Sequence, residues 1–158
     1  TAQVGATLII NDQIDLALAV GADGVHLGQD DLPIGTARKI LGSASIVGIS
    51  THTLEQAVIA EQQGANYIGF GPLFKTKTKY DTQPPTGISL IHQISQKVKI
   101  PLVAIGGIEK THLPAIFSAG ANGVAAISAV SGDVELNVRE WIKTIHAILD
   151  SPYENAHP

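Results

Sequence analysis

The sequence has 158 residues, of which 44% are hydrophobic and 15% are charged. A chain of this length and composition is typical of one globular domain that buries a core without disulfides or a structural metal. Cysteine is absent, which excludes thiol catalysis, disulfides and thiolate metal sites. Ten basic and 14 acidic residues give a net charge of −4, which argues against nucleic acid and anionic membranes as partners.

The sequence has neither of the two common kinds of targeting segment. No apolar run reaches the length of about 18 residues that a transmembrane helix needs, and no basic-then-apolar leader opens the chain. We therefore expect a cytoplasmic protein. Methionine is absent, even at position 1, which predicts that the chain begins downstream of the translation start.

Short apolar runs alternate with amphipathic stretches along the chain. The runs are nearly continuous in apolar character, which is typical of strands buried on both faces of a parallel sheet. They predict strands over residues 7–10, 24–27, 46–49, 67–70, 102–105 and 123–127. The stretches between them predict helices over residues 14–20, 34–41, 54–63, 88–97, 113–119 and 138–149. In the third helix, Thr53 and Gln56 have the spacing of a capping box.

One tripeptide pattern recurs where three predicted helices end. Gly-Ala followed by Asp or Asn occupies residues 21–23, 64–66 and 120–122. Glycine at such a position accepts a left-handed backbone, and the Asp or Asn then begins the next strand. The recurrence of the whole unit predicts repeated βα units of one architecture.

Two parallel α/β architectures compete, a doubly wound open sheet and a closed βα barrel. A polar or glycine cluster follows almost every predicted strand, as in barrels, whose sites are built from those loops. An open sheet concentrates its site at one switch point, and no Gly-x-Gly-x-x-Gly follows a strand. The sequence thus favours a TIM (βα)8-type barrel.

Six predicted strands are fewer than the eight that a closed barrel needs. We therefore expect an incomplete barrel whose first units are missing, formed by residues 1–150, with residues 151–158 as a solvated tail. Open sheet edges tend to pair with another copy, so a homo-oligomer is a further expectation.

Two carboxylates follow neighbouring predicted strands. Asp12 ends the first, and Asp31 lies just past the second, beside Asp30. Carboxylates at adjacent strand ends suit a hard cation such as Mg²⁺, which takes one or two of them together with substrate phosphate oxygens. The alternative is that Asp12 and Asp31 cap the helices that follow them.

Three later segments have features of phosphate sites. Residues 71–79 alternate threonine and lysine after a strand, although a solvated loop would have the same composition. The glycine pair Gly106–Gly107 follows the next strand and lets backbone N–H groups approach an anion, with tight loop packing as the alternative. Ser128 follows the last strand, where many βα barrels hold phosphate.

The histidines point to no known nucleophilic or zinc motif. His26 lies within a strand and is expected to be a packed, hydrogen-bonded group, and His52 lies at a strand end beside Ser50. The others are predicted to lie on surface helices or in the tail: His92, His112, His146 and His157. The His-Glu-x-x-His and nucleophile-elbow motifs are both absent from the sequence.

Taken together, five segments resemble the thiamine phosphate synthase family. In order they are IIND at 9–12, GVHLGQDD at 24–31, GISTHT at 48–53, GFGPLFKTKTK at 69–79 and AIGGI at 104–108. The family's members are βα barrels that join a pyrimidine methyl diphosphate to a thiazole phosphate and release pyrophosphate. The resemblance runs from about residue 7 to residue 130, and the combination is far more specific than any one segment.

The resemblance implies a role for each matching residue. Asp12 and Asp31 would hold Mg²⁺ against the diphosphate. Asn11, Ser50 and Lys79 would contact the pyrimidine diphosphate, with Ser50 and Lys79 as the catalytic residues. The thiazole phosphate would be held by a larger set: Thr76, Lys77, Thr78, Gly107, Ile127 and Ser128.

The sequence departs from the family in one respect. A basic Gln-x-Arg-x-Lys strand that members carry upstream of this part is absent, so residues 1–158 alone are expected to have little activity. Two alternatives remain: a thiazole tautomerase of the same barrel family, and a non-catalytic phosphate-binding or interaction segment of a larger protein. The Asp12/Asp31 pair and Lys79 favour the synthase, because a tautomerase has no diphosphate to neutralise.

Overall fold

A computed structural model describes residues 5–76 and 84–150. Its centre is one sheet of six strands, β1 (Ile9–Asn11), β2 (Gly24–Leu27), β3 (Ile46–Thr51), β4 (Tyr67–Phe70), β5 (Leu102–Ile105) and β6 (Gly123–Ala125). Every neighbouring pair is parallel, and the order of strands in the sheet equals their order in the chain. This order excludes the doubly wound alternative, in which the strand order reverses.

A helix follows each strand. The six are α1 (Ile14–Ala19), α2 (Ile34–Leu41), α3 (Leu54–Gln62), α4 (Ser89–Lys97), α5 (Leu113–Ser118) and α6 (Val134–Leu149). Short 3-10 helices over Lys110–His112 and Ser128–Val130 precede α5 and α6. The fold is therefore a parallel α/β fold of the TIM-barrel type. The missing first units stay a prediction, and the tail at 151–158 lies outside the described residues.

Burial of the central strands in the core explains why their sequences are nearly continuous apolar runs. Val25, Leu27, Val47, Ile68 and Phe70 are fully buried on the central strands. The helices add buried side chains that pack in the same cluster: Ile34, Ala37, Ala57, Ile91, Ile94, Leu113 and Ile116. Among the described residues, no helix combines the length and the hydropathy needed to cross a bilayer.

The recurring Gly-Ala-Asx unit ties the start of three strands, β2, β4 and β6, to the preceding strand in the sheet. Gly21, Gly64 and Gly120 all have positive φ, as predicted. The next polar residue then pairs twice with the neighbouring strand. Asn66 Oδ1 accepts from Val47 N at 2.8 Å, and Asn66 N donates to Val47 O at 2.8 Å.

Asp23 and Asn122 repeat this pattern. Asp23 pairs in the same two ways with Leu8, and Asn122 with Leu102, at distances between 2.7 and 3.0 Å. The amino ends of the strands are therefore held by side-chain carbonyl or carboxylate groups.

Several predicted bounds move by a few residues. β3 extends to Thr51, which is fully buried, so its assignment to a polar loop was wrong. Helix α6 begins four residues earlier than predicted, at Val134, because the Asp133 side chain accepts a hydrogen bond from Leu136 N and caps it. Thr53 caps α3 as predicted, whereas the Gln56 side chain accepts from His52 N and so does not complete the box with Thr53.

Candidate active site

The candidate site lies at the carboxyl edge of the sheet. Because all six strands are parallel and sequential, the residues that follow them lie along one edge. Hydrogen bonds join consecutive positions there. Asp12 N donates to His26 O at 2.8 Å, and the Gln29 side chain donates to Ser50 O at 2.6 Å. The loops after β1, β2 and β3 are thus fixed relative to one another.

Asp12 has an unusual backbone. Its φ of 62° is the one positive value at a non-glycine residue in the described part of the chain. Aspartate tolerates this region better than most residues, and such conformations concentrate at functional sites. The N-cap of α1 is Gln13, so Asp12 does not cap the helix. The capping alternative is therefore unsupported for Asp12.

Asp31 is half-buried and held in place from within its own loop. Its Oδ2 atom accepts a hydrogen bond from Gly28 N at 2.6 Å. The N-cap of α2 is Pro33, so Asp31 does not cap that helix either. Oδ1 is left without a hydrogen-bond partner within the described ranges. Asp31 therefore offers one carboxylate oxygen from a fixed position.

These two carboxylates fit a magnesium ion by their chemistry. Asp12 and Asp31 follow neighbouring strands, and carboxylate oxygens are the hard donors that Mg²⁺ takes. No group of three or more acidic, histidine or cysteine residues among those described is arranged to hold a metal. A site that shares Mg²⁺ with substrate phosphates needs only one or two carboxylates, so the pair is sufficient.

Ser50 lies at the centre of a polar cluster formed by β2, β3 and β4. Its Oγ atom lies 2.9 Å from His26 Nε2, and His26 Nδ1 lies 2.9 Å from the Tyr67 hydroxyl. The expectation that His26 is a packed, hydrogen-bonded group is confirmed. Burial raises the pKa of the Tyr67 phenol above its usual value near 10. Tyr67 is therefore a neutral O–H group at physiological pH.

The loop after β4 is attached on both sides. His52 Nδ1 bonds Gly71 O, which joins it to the end of β3. On the other side, Leu73 N donates to Ile105 O at 2.9 Å, and Phe74 N donates to Gly106 O at 3.0 Å. This loop therefore packs directly over the glycine pair that follows β5.

That close approach explains why residue 107 is glycine. Its φ is 63°, and a Cβ atom there would lie 2.6 Å from Lys75 O. The tight-packing alternative therefore accounts for Gly107, whereas its anion-binding role stays a prediction. After β6, Ile127 is two-thirds exposed, and Ser128 begins a 3-10 helix. Both occupy the edge at which phosphate contacts are predicted.

Five further predicted site residues remain, and the structure describes two of them. Asn11 is the last residue of β1 and is exposed, and Thr76 is half-buried in the loop after β4. Lys77, Thr78 and Lys79 lie outside the described residues, so their placement stays a prediction.

One histidine lies elsewhere than its sequence position predicts, and two polar residues of this region carry no recognisable sequence motif. His112, expected at the surface, is half-buried, and its ring stacks on Phe74 with centroids 3.9 Å apart. Tyr67 and Gln29 both contact the Ser50 region but had been given no role. Glycines on the strands around the His26 ring were the available signal, since a histidine between glycines has room to reach across strands.

Known proteins resemble this chain over most of its length. Residues 1–130 match the family described as "Thiamine monophosphate synthase". The thiamine-phosphate synthase of Syntrophomonas wolfei is 49% identical over 140 residues, covering 87% of this chain and 67% of the relative. That of Halalkalibacterium halodurans is 53% identical over 125 residues, covering 79% and 59%. The chain thus spans roughly three-fifths to two-thirds of these curated relatives.

A solved structure gives the same result for the fold. The thiamine phosphate pyrophosphorylase from Pyrococcus furiosus superposes on this chain with a TM-score of 0.85 at 39% sequence identity. The match covers 94% of this chain and 72% of that one.

Proposed function

The chain belongs to the thiamine monophosphate synthase family, and we propose that the complete protein joins a pyrimidine methyl diphosphate to a thiazole phosphate. Thiamine phosphate forms, and pyrophosphate leaves. The observation that carries the proposal is the alignment of Asn11, Asp12, Asp31 and Ser50 along one edge of the sheet, in a chain about half identical to thiamine-phosphate synthases.

Asp12 and Asp31 would hold Mg²⁺ beside the diphosphate. When bound, the ion supplies positive charge that stabilises the negative charge developing on the departing pyrophosphate. The hydrogen bond from Gly28 N fixes the Asp31 carboxylate before any ligand arrives. Asp12 is fixed in another way, because its backbone donates to His26 O.

Asn11, Ser50 and Lys79 would contact the pyrimidine diphosphate. The aminopyrimidine stabilises a benzylic-type cation, so the protein's main task is to assist the departure of pyrophosphate. Hydrogen-bond donors aimed at the leaving group do this without moving during the reaction. Ser50 is held by His26 in a way that suits a preorganised donor.

Thr76, Lys77 and Thr78, together with Gly107, Ile127 and Ser128, would bind the thiazole phosphate. The thiazole nitrogen then forms a bond to the methylene carbon from which pyrophosphate has departed, and positioning takes the place of a general base. The loop after β4 and the glycine pair after β5 are joined by hydrogen bonds, which supports a single phosphate site made from both.

The test uses the complete protein with both substrates. We expect thiamine phosphate and pyrophosphate to form in equal amounts, with turnover lost on chelation and restored by Mg²⁺. Tautomerisation of a thiazole without pyrophosphate release would show the tautomerase instead, and phosphate binding without turnover would show a binding segment. Either outcome contradicts the proposal. The low turnover expected of residues 1–158 alone stays a prediction for the same assay, and self-association stays a prediction for size-exclusion chromatography.

A further inference from the structure

The polar cluster around Ser50 contains two residues to which no role has been assigned. Tyr67, His26 and Ser50 are linked by two hydrogen bonds of 2.9 Å across β4, β2 and β3. We infer that Tyr67 and His26 are positioning residues. They make the Ser50 hydroxyl oxygen accept a hydrogen bond from His26, so that the hydroxyl hydrogen can donate to the pyrimidine diphosphate. We call these three residues the relay. The inference rests on the proposed function.

The sheet leaves room for the relay by placing glycine at two strand positions. His26 pairs with Gly48 in the register, and Gly48 pairs with Tyr67. A Cβ atom at Gly48 would overlap the Tyr67 ring, and one at Gly69 would lie 3.0 Å from His26 Cε1. Both rings therefore occupy space that only glycine leaves, so the arrangement is built into three strands.

The direction of the two hydrogen bonds depends on the tautomer of His26. The Tyr67 phenol is protonated at neutral pH, and within the described residues its hydroxyl bonds only His26 Nδ1. If that phenol donates, Nδ1 is the acceptor, and a neutral imidazole then carries its hydrogen on Nε2. In that tautomer Nε2–H donates to Ser50 Oγ, which has no other hydrogen-bond partner in the described ranges.

The opposite tautomer would have the opposite consequence. With the hydrogen on Nδ1, Nε2 would accept the Ser50 hydroxyl hydrogen, and Ser50 would have none to offer a substrate. Tyr67 thus controls, through His26, whether Ser50 is a donor. Because neither Tyr67 nor His26 needs to touch the substrate for this effect, both are positioning residues.

The first experiment reads the tautomer without turnover. Nitrogen-15 NMR of the complete wild-type protein distinguishes a protonated from an unprotonated ring nitrogen. We expect His26 to carry hydrogen on Nε2, and Tyr67→Phe to give a mixture of tautomers because the donor to Nδ1 is lost. A wild-type His26 with hydrogen on Nδ1 overturns the inference, whatever the protein catalyses.

The second experiment measures the kinetic effect. Tyr67→Phe keeps the ring and should lower kcat about 3- to 10-fold, as expected for one lost hydrogen bond, while KM for the pyrimidine diphosphate changes less than about twofold. His26→Gln keeps an N–H donor near the Nε2 position and should retain more activity than His26→Asn. The exposed His92→Gln variant on α4 is the control and should match the wild type.

The third experiment is a double-mutant cycle between Tyr67 and Ser50. In a Ser50→Ala background, Tyr67→Phe should have no further effect on kcat, because the relay acts only through Ser50. Additive effects of the two substitutions would overturn the inference, and so would a wild-type kcat for Tyr67→Phe. Absence of thiamine phosphate formation by the wild type would instead refute the proposed function, and the NMR result would then decide the relay alone.

Discussion

The two edges of the sheet carry the same types of side chain, Asp and Asn, in different hydrogen-bonding arrangements. At the amino edge, side-chain oxygens accept hydrogen bonds from backbone N–H groups of a neighbouring segment. The residues are Asp23, Asn66 and Asn122. At the carboxyl edge, Asp12 and Asp31 do not cap the helices that follow them. The Asp and Asn side chains at the amino edge therefore join strands, whereas Asp31 at the carboxyl edge accepts only from its own loop and is proposed to bind the metal.

The largest expected effect is at the carboxyl edge. Asp12→Asn and Asp31→Asn should each lower turnover about 100-fold or more, because each removes a charge needed opposite the developing pyrophosphate. Asparagine also tolerates the positive φ of residue 12, so the fold should be kept. Steady-state kinetics at several Mg²⁺ concentrations measures the effect.

Asp15→Asn is the matched control, because Asp15 is exposed in the first turn of α1. It should leave kcat unchanged. Full turnover of Asp12→Asn with Mg²⁺ dependence intact would remove Asp12 from the metal site.

Gly107→Ala should destabilise the loop packing at the same edge. Positive φ and a Cβ atom 2.6 Å from Lys75 O should together lower the free energy of unfolding by about 2 kcal/mol. The Michaelis constant for the thiazole phosphate should rise. Gly35→Ala on α2 is the control, since a Cβ atom there meets nothing within 4 Å, and it should stabilise by about 0.5 to 1 kcal/mol.

Asn66→Ala tests the amino edge, where we expect stability to change and catalysis to stay the same. Loss of the acceptor for Val47 N and for the Arg38 guanidinium should lower the free energy of unfolding by about 1 kcal/mol. Denaturant unfolding measures this change, and kcat per folded molecule should equal that of the wild type. Asn66→Asp keeps the acceptor and serves as the control. A fall in kcat for Asn66→Ala would show that the two edges are not independent.

The smallest effect concerns the alkaline limit of stability. Burial raises the pKa of Tyr67 in the folded state, so the unfolded chain loses the phenol proton first as pH rises. Stability from this source is complete below a pH of about 10 and falls as pH rises through the folded-state pKa. The wild type should therefore lose stability above pH 10 more steeply than Tyr67→Phe. Equal slopes in alkaline urea titrations would show that the phenol is no harder to ionise in the folded state.

The fold was largely predictable because its central strands are buried on both faces. β2, β4 and β5 have the predicted bounds, since each is a short apolar run between polar or glycine residues. α6 was predicted too short because Val134 and Leu136 are more than half exposed, so its first turn lacks the amphipathic pattern. Thr51 looked like a loop residue, yet its hydroxyl donates to Gly69 O within the sheet.

The candidate site was predictable only as a set of strand ends. Asp12 and Asp31 could be placed on one edge because parallel strands share their direction. The hydrogen-bonded link from Tyr67 to Ser50 could not be predicted. It depends on the register of three strands and on which side chains lie over a glycine of the neighbouring strand. The stacking of His112 on Phe74 likewise depends on how two loops pack, which periodicity does not describe.

The sequential order of the strands also bears on how the chain folds as it is synthesised. Each strand pairs with the one made just before it, as Ile10 with Val25 and Ala104 with Val124, so no pairing in the sheet waits for a distant segment. Short loops close quickly, and contacts that are near in sequence speed folding. The sheet can therefore grow strand by strand during synthesis, and the loops that carry the two aspartates become neighbours as soon as β1 and β2 have paired.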